Sequence, residues 1–286
     1  MNSTGMKSAL LLFVVILSSG ALAQQKPKLG DNAALRYWAA FSEMQDAGIT
    51  AQQAKELNLI LDGTAPYKDL SYKDLLERNA LALNVMARGT ALANCDWGLD
   101  YDLRHQTPVE YARKSLELGR LNVLYAFHLS LIGNKDGSVR ALAAGVRFSR
   151  DVAAGGSLFA TIVAKDLLVD HFRAIEGLSQ LAQFSSSQRS QLQKAVAEIG
   201  PSSLDWEAAI RREMKAQDRP DWRMPLQSIS RSYIAALNNP AALPDLQQAI
   251  ASAPPDLRDV IANPKRVLEE KQDLDNQLQH IRAMFH

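Results

Sequence analysis

The chain is 286 residues long, with a formal net charge of +1, 47% apolar residues and 22% charged residues. That is the composition of an ordinary folded chain, and so even a charge balance excludes the basic excess that nucleic acid or an anionic membrane surface rewards. The single cysteine, Cys95, excludes an intramolecular disulfide, so stability has to come from a packed core.

Lys7 precedes an unbroken apolar run over residues 9–17, followed by Ser18, Ser19, Gly20 and Ala21-Leu22-Ala23. A basic start, a short apolar centre and an A-x-A end form the pattern of a secretory signal peptide. Residues 1–23 are therefore expected to be removed near Ala23, leaving an extracytoplasmic chain, periplasmic or secreted. The run falls short of the roughly 20 apolar residues that span a bilayer, and no later segment approaches that length. The mature chain is expected to hold no integral membrane segment. No cysteine follows the run to serve as a lipoprotein acceptor.

Residues 24–30 read as a flexible leader and 31–286 as one all-α domain. Asp31 or Asn32 can cap a first helix carrying Leu35, Trp38 and Phe41, which Gly48 ends. Thr50 caps a second, short helix that stops at Asp62-Gly63. Ser71 with Asp74 resembles a capping box and predicts a helix to about residue 93. Thr107-Pro108 opens another to about 132, apolar on a wide face through Leu116, Leu121, Leu124, Phe127 and Leu131. Further helices are expected over 138–153, 157–184, 187–199, 203–217, 225–237, 240–252 and from Asn263 to the end. Residues 218–225 form the best internal boundary. Strand signals are scarce and no fixed repeat recurs, so the expected fold is an irregular multi-helix bundle or α-solenoid-like array of about ten helices.

The segment Cys95-Asp96-Trp97-Gly98-Leu99-Asp100-Tyr101-Asp102, with His105 close behind, gathers a thiol, two aromatic rings and three carboxylates between two helices. Cys95, Asp96, Trp97, Asp100, Tyr101 and His105 could line a ligand pocket, and Asp with His could hold a metal. The competing reading is that Cys95 and Trp97 plug the core, Asp residues cap helix ends and Gly98 serves the turn. Asp166, Asp170 and His171 invite a metal reading too, but they sit on an amphipathic helix whose polar stripe is expected to be solvated, with Asp170 paired to Arg173. His128 lies on an apolar helix as a core residue. Arg140 and Arg147 share a face, and Asp151 follows Arg147 at i+4 as a local ion pair. His280 and His286 sit on the terminal helix without a site around them. The H-E-x-x-H, G-x-S-x-G, phosphate-loop and C-x-x-C motifs are absent from the sequence, and no cofactor is indicated.

On that last helix, Val267, Lys271, Leu274, Leu278, Ile281 and Phe285 are spaced 4, 3, 4, 3, 4, a heptad seam with one polar position. The seam packs either on the body of its own chain or against a protein partner or second copy.

Asn32-Ala33-Ala34-Leu35-Arg36-Tyr37-Trp38-Ala39-Ala40-Phe41 together with Cys95-Asp96-Trp97-Gly98 resembles a group of uncharacterised bacterial exported proteins. Those pair an N-A-x-x-x-Y-W-x-A-F-like first helix with a C-D-W-G-like loop ahead of long helices. The resemblance covers the first two thirds of the chain. It implies an exported all-helical protein and brings no catalytic residues. If Trp38 and Trp97 meet, the first helix closes over the Cys95 loop.

The resulting expectation is a non-catalytic binding or interaction module of the periplasm or cell envelope. The alternative is a small-molecule or metal site, with or without catalysis, at the Cys95–His105 loop. The first should display an exposed apolar groove or terminal seam. The second should bring Asp96, Asp100, Tyr101 and His105 to one cavity.

Overall fold

Three long helices make the centre of the fold: α5 (Glu110–Leu131), α6 (Lys135–Ala153) and α7 (Leu158–Ala182), each packed on the other two. The computed structural model describes residues 29–45, 49–101, 103, 109–200, 202–217 and 219–285. The expected signal segment, most of the leader, Gly48, Thr107-Pro108, His105 and His286 lie outside the described residues.

Around that centre lie ten further helices among the described residues. They are α1 (Ala33–Glu43), α2 (Ala51–Leu61), α3 (Lys73–Arg78), α4 (Ala80–Gly89), α8 (Ser186–Ala197), α9 (Trp206–Ala216), α10 (Arg223–Asn238), α11 (Leu243–Ala251), α12 (Pro255–Arg258) and α13 (Pro264–Ala283). The protein is all-α. The one β-type pairing among the described residues is an isolated bridge between Asn32 and Asn94. No helix of the described residues is long and apolar enough to cross a membrane.

Close packing at the centre depends on small residues. A Cβ on Gly119 of α5 would lie 2.4 Å from Leu167, and one on Gly145 of α6 would lie 1.9 Å from His171 Nε2. Both glycines are therefore where neighbouring helices approach most closely. His171 is fully buried in this contact: Nδ1 lies 2.6 Å from the Leu167 carbonyl and Nε2 lies 3.2 Å from Asn122 Nδ2. Burial pulls its pKa down to about 4, so it is neutral near pH 7.

Helix starts follow the caps. Asn32, Thr50, Ser157, Ser185, Asp205 and Asn263 each accept a backbone N–H from the first turn that follows. Several boundaries differ from the sequence expectation, and two of them have a clear side-chain cause. The helix expected from Ser71 is split in two, because buried Asn79 turns its side chain on the backbone. Its Nδ2 donates to the Leu75 carbonyl and its Oδ1 accepts from Gln45 N–H, tying the break to the end of α1. Ser71 belongs to a short 3-10 turn, and α3 begins without a side-chain cap. Further on, α6 starts at Lys135 rather than Ser138. Asn134 is the cap, and the Ser138 hydroxyl donates instead to the Ala126 carbonyl of α5.

Later elements wrap the centre. α8 packs on α6, α9 on α7, and α10 on both α9 and α11. α13 returns across α7, α8, α10 and α11. Val267, Leu274 and Ile281 are buried in that return, with Leu278 and Phe285 packed beside them. A further tie is Lys165 of α7, a buried cation held between Glu270 (2.7 Å) and Asp273 (2.6 Å) of α13.

Candidate functional site

The Cys95 loop is stitched to α1. Asn32 Oδ1 accepts from the N–H groups of Ala34 and Asp96, and its Nδ2 donates to the Asp96 carbonyl at 2.7 Å. Ala33 N–H donates to the Asn94 carbonyl at 2.7 Å. The Trp38 and Trp97 rings meet edge-on at 5.9 Å, so the first helix does close over the loop. Trp97 is buried, with Tyr37, Phe41 and Tyr111 also against its ring.

Asp151, near the end of α6, organises this corner. The Tyr37 hydroxyl donates to its Oδ2 at 2.5 Å, and Arg150 donates to Oδ1 at 2.9 Å. The Asp151 backbone carbonyl accepts from Trp97 Nε1 at 2.8 Å and from Cys95 Sγ at 3.5 Å. Burial raises the Asp151 carboxyl above the usual carboxylate range, against the opposing pull of Tyr37 and Arg150. Burial, then the Asp151 charge, pushes the Cys95 thiol far above neutrality. Partly exposed at the edge of the loop, the thiol is thereby held in its protonated form.

The predicted ligand set separates here. Asp96 is exposed, and its Oδ1 accepts from Gly98 N–H at 2.9 Å, closing a turn in which Gly98 has φ +64°. Asp100 is exposed as well. Tyr101 is half-buried beneath the Arg212 guanidinium, 5.3 Å from its ring centre. A cleft of about 450 Å3 opens beside the loop between Cys95, Arg150, Asp151, Gly156, Ser203 and Arg212. Of the six sequence-predicted residues, those described besides Cys95 do not line it, and His105 lies outside the described residues. Among the described residues no three His, Cys, Asp or Glu side chains gather as metal ligands.

The other ionic groups find long-range partners. Asp170 is buried and pairs with Arg120 of α5 at 3.4 Å, not with Arg173, which reaches Asp62 at 3.2 Å. The polar stripe expected to be solvated thus turns partly inward, where α5 offers a guanidinium. Burial raises the Asp170 carboxyl to about 6 despite Arg120. Arg147 makes a two-pronged contact with Glu198, both bonds 2.8 Å, because Asp151 faces inward to Tyr37. His280 contacts Glu176 at 3.2 Å.

A second depression lies at the opposite ends of the central helices. It is a groove of about 870 Å3 between the end of α2 with the 63–67 turn, the end of α5 and the end of α7. Its floor is built on stacked rings: Tyr67 lies 5.6 Å from Phe127 and 5.7 Å from Tyr72. Asp69 fixes that stack. Its Oδ1 accepts from the Tyr67 hydroxyl at 3.1 Å and lies 2.6 Å from His128 Nδ1. Large apolar side chains stand in solvent on and near the groove: Leu131 is 62% exposed, Ile132 60%, Leu181 78% and Leu59 48%. Gln183, at the end of α7, adopts left-handed backbone geometry (φ 51°, ψ 63°) on the groove wall, an uncommon conformation for a side-chain-bearing residue. Sequence reading missed this groove. The available signal was Leu181, apolar amid polar neighbours; Leu131, expected on the apolar face of its helix because it continues the spacing of Leu124 and Phe127, is 62% exposed instead.

No known protein family, curated protein or solved structure matches this chain. Function has to be argued from the surface of the molecule itself.

Proposed function

We propose that the protein is an exported, non-catalytic binding module of the periplasm or cell envelope, and that the groove at the ends of α2, α5 and α7 is its binding surface. The export part of this reading rests on the pattern of residues 1–23. The binding part is carried by one observation: two large apolar residues, Leu131 and Leu181, stand exposed on the walls of one groove, with Leu59 and Ile132 exposed next to its lining residues in sequence. Single exposed apolar residues need no explanation, but a cluster around a concavity marks a binding surface. At about 870 Å3 the groove lies within the range of small-molecule sites, and its aromatic floor is preformed by Asp69.

The alternative, a ligand or metal site on the Cys95 loop, has less in its favour. Of the groups that would carry it, Cys95 and Trp97 bond to the Asp151 carbonyl, the Asp96 carboxylate closes the Gly98 turn, and Asp96, Trp97, Asp100 and Tyr101 do not line the cleft beside the loop.

The test is titration with a neutral, environment-sensitive apolar dye. The wild-type protein should bind one dye per chain. Leu131→Ser with Leu181→Ser should abolish the binding while leaving the unfolding midpoint in place. Dye binding that survives the double substitution would move the site elsewhere, and no dye binding at all would remove the proposal. Intact-mass measurement of the exported protein should find a chain beginning at Gln24.

A further inference from the structure

The groove's charge is as informative as its shape. Among the described residues lining it, Lys135 is the one charged side chain, and no acidic residue faces it. Lys135 is half-buried on the wall, the first residue of α6, and no carboxylate of the described residues lies within 4 Å of its ammonium group. Several other cations at helix surfaces have such a partner: Lys73 with Glu77, Arg113 with Glu110, Lys265 with Glu269, Lys271 with Asp275. An apolar trough with a single uncompensated cation on one wall is complementary to an apolar ligand that carries a single negative charge.

Resting on the groove reading above, we infer that the ligand is an anionic single-chain amphiphile, its apolar chain lying over Tyr67 and Phe127 and its acidic head on Lys135. The orientation follows from the backbone. The C-terminal ends of α5 and α7 border the groove, and the negative end of a helix dipole disfavours an anion. The N-terminus of α6 favours one, and Lys135 stands there. The head is thereby confined to the α6 side and the chain to the α2 side. An acidic amphipathic helix from a partner protein would answer to the same chemistry with a larger footprint. The volume favours the small ligand.

The discriminating probes are a fluorescent polyene fatty acid and its methyl ester, titrated into the protein as cells export it. One acid should bind per chain. The ester should bind roughly tenfold more weakly, since a charge-assisted hydrogen bond is lost. Lys135→Met should bring the acid to the affinity of the ester and leave the ester unchanged, while Lys135→Arg restores the preference. Leu131→Ser with Leu181→Ser should weaken both probes. Equal binding of acid and ester, or an acid affinity indifferent to Lys135→Met, overturns the anionic head while ester binding lost in the leucine variant still supports the groove. If neither probe binds but the neutral dye does, the single-chain ligand is overturned and the groove survives. Tighter binding of an acidic amphipathic peptide than of the fatty acid would assign the site to a protein partner instead.

Discussion

The corner around Cys95 and the groove around Tyr67 are both built from aromatic rings pinned by an aspartate, yet they end in opposite states. At the corner, Asp151 receives Tyr37 and Arg150 on its carboxylate and Trp97 on its carbonyl, and the rings close over one another until Trp97 is buried. At the groove, Asp69 holds Tyr67 and contacts His128; Tyr67 is partly exposed between the buried Tyr72 and Phe127, and Leu131 and Leu181 on the groove walls stand in solvent. The first arrangement uses polar groups to complete a core. The second uses them to keep an apolar surface rigid and open, the form expected of a preorganised binding site.

Removing the corner's hub should have the largest effect. Asp151→Ala leaves the Tyr37 hydroxyl without its acceptor and Arg150 without its closest carboxylate. Breaking such a buried pair costs about 3–5 kcal/mol, read from urea unfolding followed by tryptophan fluorescence. Groove binding at low denaturant should be unchanged. A simultaneous loss of dye binding would show that the two regions are coupled.

Next in size is Gly145→Ala, which places a methyl group against His171 and Asn122 and should cost about 1–3 kcal/mol by the same measurement. Asp96→Ala should cost less, about 1 kcal/mol, because the turn bond to Gly98 is lost while the backbone bonds to Asn32 remain. That variant should fold and keep its ligand, whereas a ligand-holding role for Asp96 would leave stability intact and abolish binding.

Acid titration gives a smaller and more particular signature. His171 has a depressed pKa, so the unfolded chain takes up its proton first and stability falls as pH drops from 6.5 towards about 4. Asp170 has a raised pKa, so the folded chain takes up that proton first, and stability rises as pH drops from about 6 towards 3.8. The two oppose each other over most of this window, and the wild-type stability curve should be shallow there. Asp170→Asn removes one arm, so a steeper loss of stability below pH 6 should appear. An unchanged slope in that variant would contradict the raised Asp170 pKa, and a variant with no loss of stability between pH 6 and 4 would contradict the neutral, buried His171.

The sequence was readable where structure is local. Asn32, Thr50 and Asn263 stand beside the N–H groups they cap, and the tryptophans of the first helix and the Cys95 loop signalled packing. The helical class follows from the same local patterns. Asp151 was not readable as a hub, because Tyr37 lies 114 residues away and a nearer arginine, Arg147, offered a plausible but unused pairing. The terminal heptad was visible as a seam, but what it covers was not. α13 lays Val267, Leu274 and Ile281 on helices of its own chain. The groove was hidden for the same reason as the hub, since it is assembled from the ends of α2, α5 and α7, and no window of sequence contains all three.

Hydrogen exchange with and without a saturating fatty acid tests the contrast between the two regions most directly. The account predicts slowed exchange at the end of α2, the 63–67 turn and the ends of α5 and α7, with residues 93–101 and 150–156 unchanged. Protection that appears at the Cys95 corner while the groove stays unaffected would contradict it and place the binding site where the aromatic rings are closed.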